Sequence, residues 1–162
     1  MDTRARVYDI VKGFSTTMLV SCGHGKRAGS RPMQIAKVEE GGDVWFFTSR
    51  SGGVAEEIAR DPAVLLVFQD ERTAYLSLRG RGRIVEDRAL MKELWKEPFR
   101  VWFPQGIDDS DLALLAVEPV TAEYWDSRGR NRLEYLFEAA KAYVEGTRPE
   151  VDSPEQHAKV TM

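Results

Sequence analysis

Three hydroxyls, a guanidinium and two glycines stand together at Thr48-Ser49-Arg50-Ser51-Gly52-Gly53, directly before an amphipathic stretch at residues 54–60. Backbone N–H groups at a helix start, with hydroxyls beside them, suit an anion, most often phosphate. The plainer reading is a Ser/Gly connection that ends in a helix cap, and spacing alone favours it. The preceding strand adds weight to the anion. Arg31-Pro32-Met33 opens that strand, and a hairpin would carry Arg31 back beside Thr48. A basic side chain and a hydroxyl loop would then share one end of a strand pair.

Positioning these groups takes a strand, a tight turn, a second strand, a polar loop and a short helix over residues 30–62. Glu40-Gly41-Gly42-Asp43 is a hairpin signal between two apolar-rich runs. The second run, Val44-Trp45-Phe46-Phe47, is aromatic and β-favouring. Upstream, Val7, Ile10, Val11 and Phe14 recur at helical spacing after Asp2 and Thr3, either of which can cap a first helix. Residues 16–22 read as a strand, followed by a glycine-rich loop at 23–30 in which His24 has no acidic or nucleophilic neighbour.

Downstream, residues 63–68 form a continuous apolar run, the pattern of a strand buried on both faces. Residues 73–85 alternate. Ala74, Leu76, Leu78 and Ile84 share one face with Gly80 and Gly82, opposite Tyr75, Ser77, Arg79, Arg81 and Arg83. Glycines on the apolar side of such a strand suggest a bend that curls a sheet into a barrel. The three arginines suit an anionic ligand, a partner's carboxylates, or simply solvent.

A helix is expected over 87–96. The aromatic segment Phe99-Arg100-Val101-Trp102-Phe103 then reads as a lid, an interface or a satellite core. Residues 112–125 return to β-character, with Pro119 marking an edge, and Leu133, Leu136, Phe137, Ala140 and Val144 mark a last amphipathic helix. Six strands and four helices result, in one domain over 1–145. Residues 146–162 read as a polar, mobile or loosely wrapped tail. The fold class is mainly β with flanking helices.

Composition narrows the function. The chain has 162 residues, 43% hydrophobic and 30% charged, enough for one sizeable core. A net charge of −3 lacks the basic footprint of a nucleic-acid binder. No run approaches the ~18 apolar residues of a membrane span, and the N-terminus shows no apolar signal core. A single cysteine, Cys22, fits a reducing compartment, and two distant histidines, His24 and His157, make a metal site improbable. The expectation is a cytoplasmic protein with no nucleic-acid, membrane or metal partner.

The order of these segments resembles the flavin-binding split-barrel superfamily typified by pyridoxamine 5′-phosphate oxidase, and within it the general stress protein 26 family. The residues that carry the resemblance are Ser30-Arg31-Pro32-Met33, Val44-Trp45-Phe46-Phe47-Thr48, the stretch 54–62, Leu94-Trp95, Trp102-Phe103-Pro104-Gln105-Gly106 with Asp108-Asp109, and Glu123-Tyr124-Trp125-Asp126. The resemblance as a whole covers residues 3–125. The resemblance implies a homodimer of six-stranded split β-barrels with FMN, or FAD, at the subunit interface. By position, Arg31, Pro32 and Met33 would lie along the isoalloxazine edge, and Phe47 and Thr48 would approach the ring and ribityl chain. Ser49, Arg50 and Ser51 would face the phosphate. Trp125, with Trp102, would cover the flavin from the other subunit.

Two departures from the family pattern limit what this implies. Where relatives carry a lysine before the helix, this chain reads Gly52-Gly53-Val54. One lost charge-assisted contact weakens phosphate binding by about 1.5–3 kcal/mol, or ten- to a hundredfold. Pyridoxamine-phosphate oxidases also carry an Arg-x-His motif with a further arginine beyond it. Here the segment is Arg132-Leu133-Glu134-Tyr135-Leu136, and a glutamate repels the phosphate of a vitamin B6 substrate. The resemblance therefore implies a flavin-binding stress-response protein and not a pyridoxamine-phosphate oxidase. A weak oxidoreductase, a non-enzymatic flavin buffer and a flavin-free dimeric interaction module are its three readings, and no residue presents itself as catalytic.

Overall fold

The computed structural model describes residues 2–21, 28–70, 74–127, 130–147, 154 and 156–162, with the backbone alone over 130–135. Cys22 and His24 lie outside the described residues, as do the side chains of Arg132 and Glu134.

Helix α1, Thr3–Lys12, starts where the Asp2 carboxylate accepts the Arg4 amide at 3.1 Å, so Asp2 rather than Thr3 is the cap. Its Val7, Ile10 and Val11 are fully buried in the main core. Six strands close a barrel: β1 Thr16–Ser21, β2 Gly29–Val38, β3 Val44–Ser49, β4 Ala63–Gln69, β5 Ala74–Val85 and β6 Leu112–Asp126. All neighbouring pairs are antiparallel, in the order β3-β2-β1-β4-β5-β6, and β6 returns to β3 to shut the ring. Closure of β6 on β3 leaves no free edge along the paired stretch of these two strands.

The β2–β3 hairpin turns at Gly41, whose φ of 71° costs glycine no steric strain. The strand β5 curls because two of its inward positions carry no side chain. A Cβ on Gly80 would lie 2.5 Å from the Glu118 carbonyl oxygen, beside a register shift between Arg79 and Gly80. A Cβ on Gly82 would lie 2.6 Å from Cδ1 of Ile58 in helix α2, Gly53–Arg60. Inside the barrel Leu19, Phe46, Leu66, Phe68, Leu76, Leu78 and Tyr124 are at most 2% exposed. Each such side chain stabilises the fold by about 1.5–3 kcal/mol.

A second core lies outside the barrel wall. Successive side chains of a strand alternate, so Phe46 enters the barrel while Trp45 and Phe47 face out. They are covered by α3, Arg88–Leu94, and by 3₁₀ turns at Glu97–Val101 and Gly106–Asp108. A last helix, α4, Arg130–Glu145, follows β6.

Two expectations change. The apolar run of β4 is not buried on both faces: Val64, Leu66 and Phe68 are core, whereas Leu65 and Val67 are half-buried on the outer face. The last residues are not a loose tail. His157–Thr161 forms β7, antiparallel to the C-terminal half of β6, with Val160 in the core. Thus one edge of β6 pairs with β3 up to Val117 and with β7 from Thr121, and Pro119 falls in the gap, where its missing N–H breaks neither ladder.

Candidate functional site

A cavity of about 320 Å³ opens where the β3–α2 junction meets the β1–β2 hairpin and the outer aromatic segment. The β1–β2 pair contributes Thr16, Pro32, Met33 and Gln34, with Thr16 directly opposite Gln34 in the register. The end of β3 contributes Phe47, Thr48 and Ser49, and the helix start contributes Gly52, Gly53 and Val54. Phe99, Trp102 and Phe103 complete the wall.

The aromatic wall is stiff where it meets β3. Phe47, 4% exposed, packs edge-on against Trp95 at 5.3 Å and tilted against Phe99 at 5.0 Å and Phe103 at 6.3 Å. Such pairs add about 0.5–1.5 kcal/mol each beyond their buried area. Trp102, by contrast, is 67% exposed at the rim. The start of α2 has Gly52 as its N-cap and no side-chain cap, and the first intrahelical bond runs from the Glu56 amide to the Gly52 carbonyl. Its leading N–H groups are therefore offered to whatever occupies the cavity.

Of the residues singled out from the sequence, Pro32, Met33, Phe47, Thr48, Ser49 and Trp102 come together in this one cavity. Arg31 neighbours it but turns towards α2, where Nη1 and Nη2 donate to the Glu57 carboxylate at 2.7 and 3.1 Å. Ser21 also donates to that carboxylate. The Arg31 bonds, outweighing burial, hold the Glu57 carboxyl below the usual glutamate range. Arg50 faces Glu86 at 3.5 Å and Asp111 at 3.9 Å. The Ser51 hydroxyl and amide both donate to Asp111, at 2.7 and 3.1 Å. Trp125 lies on the outer face of β6, 43% exposed, with its ring stacked on His157 at 4.9 Å.

Sequence reasoning missed Thr16, Gln34, Phe99 and Phe103 as lining residues. A cross-strand register would have found the first two, since Thr16 and Gln34 sit opposite once Pro32 is paired with Met18. Among the described residues no group of three or more His, Cys, Asp or Glu could hold a metal ion. No described helix is long and apolar enough to cross a membrane.

A closed six-stranded antiparallel barrel with helices on its flanks, and a ligand-sized cavity at the β3–α2 junction, defines a split-barrel protein of the pyridoxamine-phosphate-oxidase type. The family model described as pyridoxamine 5′-phosphate oxidase like matches residues 2–150, and the chain belongs to that family. Among solved structures, it is similar to a protein from Jannaschia sp. CCS1 described as a general stress protein 26, with 27% identity and a TM-score of 0.71 over 96% of this chain and 95% of that one. It is also similar to the general stress FMN/FAD binding protein of Xanthomonas citri, with 25% identity and a TM-score of 0.67 over 79% and 91% of the two chains. Protein bli-3 of Neurospora crassa is 29% identical over 127 residues, which are 72% of this chain. The chain spans 60% of the length of that relative.

Proposed function

We propose that this protein is a cytoplasmic, homodimeric flavin-binding protein that holds FMN, with FAD as an alternative, in the cavity at the β3–α2 junction. One observation carries the reading: a single cavity joins a wall of Phe47, Phe99, Trp102 and Phe103 to the uncapped start of α2. A flat apolar ring suits the aromatic wall, and a phosphate suits helix-start amides. The volume falls in the ~300–1,000 Å³ range of small-ligand sites. Access at the helix start is open, since a Cβ on Gly53 would meet nothing within 4 Å. The Xanthomonas citri relative, described as FMN/FAD binding, supports the same reading.

In this reading Thr48, Ser49 and Gln34 bond polar edges of the ligand, Phe47 and Trp102 bracket its ring, and Gly53 and Val54 approach the phosphate with backbone amides, the Gly52 amide being bonded to the Ser49 carbonyl at 3.1 Å. A bound flavin would supply the redox chemistry, and the chain would supply binding and orientation. No acid, base or cation lines the cavity among the described residues, which favours a second reading, a flavin buffer without turnover. The resemblance puts Glu134 at the position of an oxidase's histidine, and a glutamate there argues against oxidation of pyridoxamine phosphate.

Dimer formation is supported by the outer face of β1, β4, β5 and β6. Met18, Tyr75 and Trp125 are 39%, 44% and 43% exposed there. The register puts Pro32, Met18, Val67, Ser77 and Glu123 in one row, so this face runs directly into the cavity mouth.

A fluorescence titration of the purified protein with FMN and FAD tests the proposal. Saturable quenching near micromolar flavin, lost in a Phe47→Ala and Thr48→Ala double variant that remains folded, is the expected result. Absence of quenching by either flavin at hundreds of micromolar overturns it. Reduction of the bound flavin by NADH or NADPH, with turnover to an acceptor, separates an oxidoreductase from a buffer.

A further inference from the structure

Helix α4 is amphipathic the wrong way round. At about 3.6 residues per turn, Leu136, Phe137, Ala140, Tyr143 and Val144 fall within about 60° of one line along its surface. That line faces solvent: Leu136, Phe137, Tyr143 and Val144 are 55%, 71%, 90% and 84% exposed. The least exposed side carries Glu138, Ala139 and Ala142, and of residues 136–147 only Ala142 is buried. The small residues are covered and the large ones are wet. A helix of 16 residues is marginal by itself in water and draws its stability from burying an apolar face. An apolar stripe left exposed marks an interaction surface.

The stripe is complementary to itself. Ala140, its one small residue, stands midway between the pair Leu136-Phe137 and the pair Tyr143-Val144. A second α4, turned end for end about Ala140, brings its Val144 against Phe137 and its Tyr143 against Leu136. Each contact then joins one aromatic to one aliphatic side chain. The two alanines meet at the centre, where small side chains let the helix axes approach to about 8–10 Å. Lys141 and Glu145, both exposed, stay outside this seam.

Continuity points to the same occupant. Only residues 127–129 separate α4 from the end of β6, where Trp125 stands on the outer sheet face argued above to meet a second copy. The stripe is ~12 Å long from Leu136 to Val144. It covers a small part of the ~800 Å² per partner of a stable interface, so it acts with the sheet face and not alone.

We infer that α4 is a dimerisation helix whose apolar stripe packs antiparallel on the α4 stripe of a second copy, about a two-fold axis at Ala140. This rests on the dimer reading given above and deepens it, and it is independent of the flavin.

Cysteine cross-linking of the full chain tests the pairing, on a Cys22→Ser background so that each introduced thiol is alone. At the axis the two Cα atoms of residue 140 would lie about 3.5–5.5 Å apart, within reach of a disulfide. Under mild oxidation Ala140→Cys should give a covalent dimer, while Glu145→Cys, as exposed but pointing away from the seam, should not. In Phe137→Glu with Tyr143→Glu the link at Ala140→Cys should be lost, and the dimer dissociation constant should rise at least about thirtyfold with helicity unchanged. Light scattering that shows a dimer, with no link at Ala140→Cys or an equal one at Glu145→Cys, overturns the inference and leaves the sheet-face dimer standing. A link that persists in the Glu variants also overturns it, because the stripe is then not what brings the helices together. Binding to phosphatidylcholine vesicles through Phe137 and Tyr143, without the link, assigns the stripe to a lipid surface and overturns it too. A monomer at hundreds of micromolar removes the dimer reading itself, and the inference with it.

Discussion

Arg31 and Glu57 hold each other in a two-point ion pair, at 2.7 and 3.1 Å, that ties β2 to the second turn of α2. Both side chains are about a quarter exposed, 25% and 26%, so solvent screens the pair and its loss should cost about 1 kcal/mol. The Glu57 carboxyl titrates below its ordinary value, chiefly because Arg31 bonds its charged form. A depressed carboxyl stabilises the fold at pH above its unfolded value, and the gain vanishes as pH falls through the folded value. The difference in melting temperature between the natural sequence and Glu57→Gln should therefore be constant down to about pH 5 and close below about pH 4. A difference that persists unchanged into strong acid would show that the charge of Glu57 contributes nothing.

Phe47 joins fold and site, because one ring both lines the cavity and anchors the outer core against Trp95, Phe99 and Phe103. Phe47→Ala should cost about 3–5 kcal/mol, near 10 °C in melting temperature for a chain of this size. Phe47→Leu, which keeps most of the volume, should cost under half of that. Thermal melts of the two variants check the ordering, and an Ala variant as stable as the Leu variant would mean that the outer core collapses freely into the space.

The strands and helices were legible because each carries its own period: helical spacing in Val7-Ile10-Val11, alternation in β5, and a Gly-Gly turn before β3. What local pattern cannot encode is which face meets what. Val44-Trp45-Phe46-Phe47 is apolar throughout, so only the closed barrel decides that Phe46 goes in and Phe47 out. Arg31 was expected beside Thr48, but the pairing of β2 with β3 is last made at Ile35 and Phe46, and its guanidinium meets Glu57, 26 residues away, instead. The strand at His157–Thr161 was hidden because a short polar edge strand draws on backbone pairing with β6 rather than on a hydrophobic pattern. Six of the ten proposed site residues share one cavity because motif and loop are neighbours in sequence; the side chains of Arg31, Arg50 and Ser51 meet Glu57, Glu86 and Asp111, and Trp125, expected over the flavin of the other subunit, lies on the outer face of β6 against His157.

The outer sheet face gives the dimer a direct test. Tyr75 and Trp125 are opposite one another across β5 and β6, and both are nearly half exposed. A charge on each would be buried without a partner if this face meets a second copy. The Tyr75→Glu and Trp125→Glu double variant should run as a monomer in light scattering while its circular dichroism is unchanged. An unaltered mass would place any dimer contact elsewhere.

Two glycines make opposite predictions about the same substitution. At Gly80 a Cβ would press on the Glu118 carbonyl at 2.5 Å and on Val117 Cγ1 at 2.7 Å, and the backbone atom cannot swing aside as a flexible side chain can. Gly80→Ala should therefore cost about 2–3 kcal/mol, with a melting temperature lower by about 5–10 °C. At Gly53, the first residue of α2, the same Cβ meets open space, and removing glycine's freedom from the unfolded chain should leave stability unchanged or raise it by up to about 1 kcal/mol. Parallel thermal melts of the two variants decide the matter. If Gly80→Ala melts like the natural sequence, the register shift beside Arg79 has absorbed the methyl group, and the curl of β5 does not depend on a missing side chain.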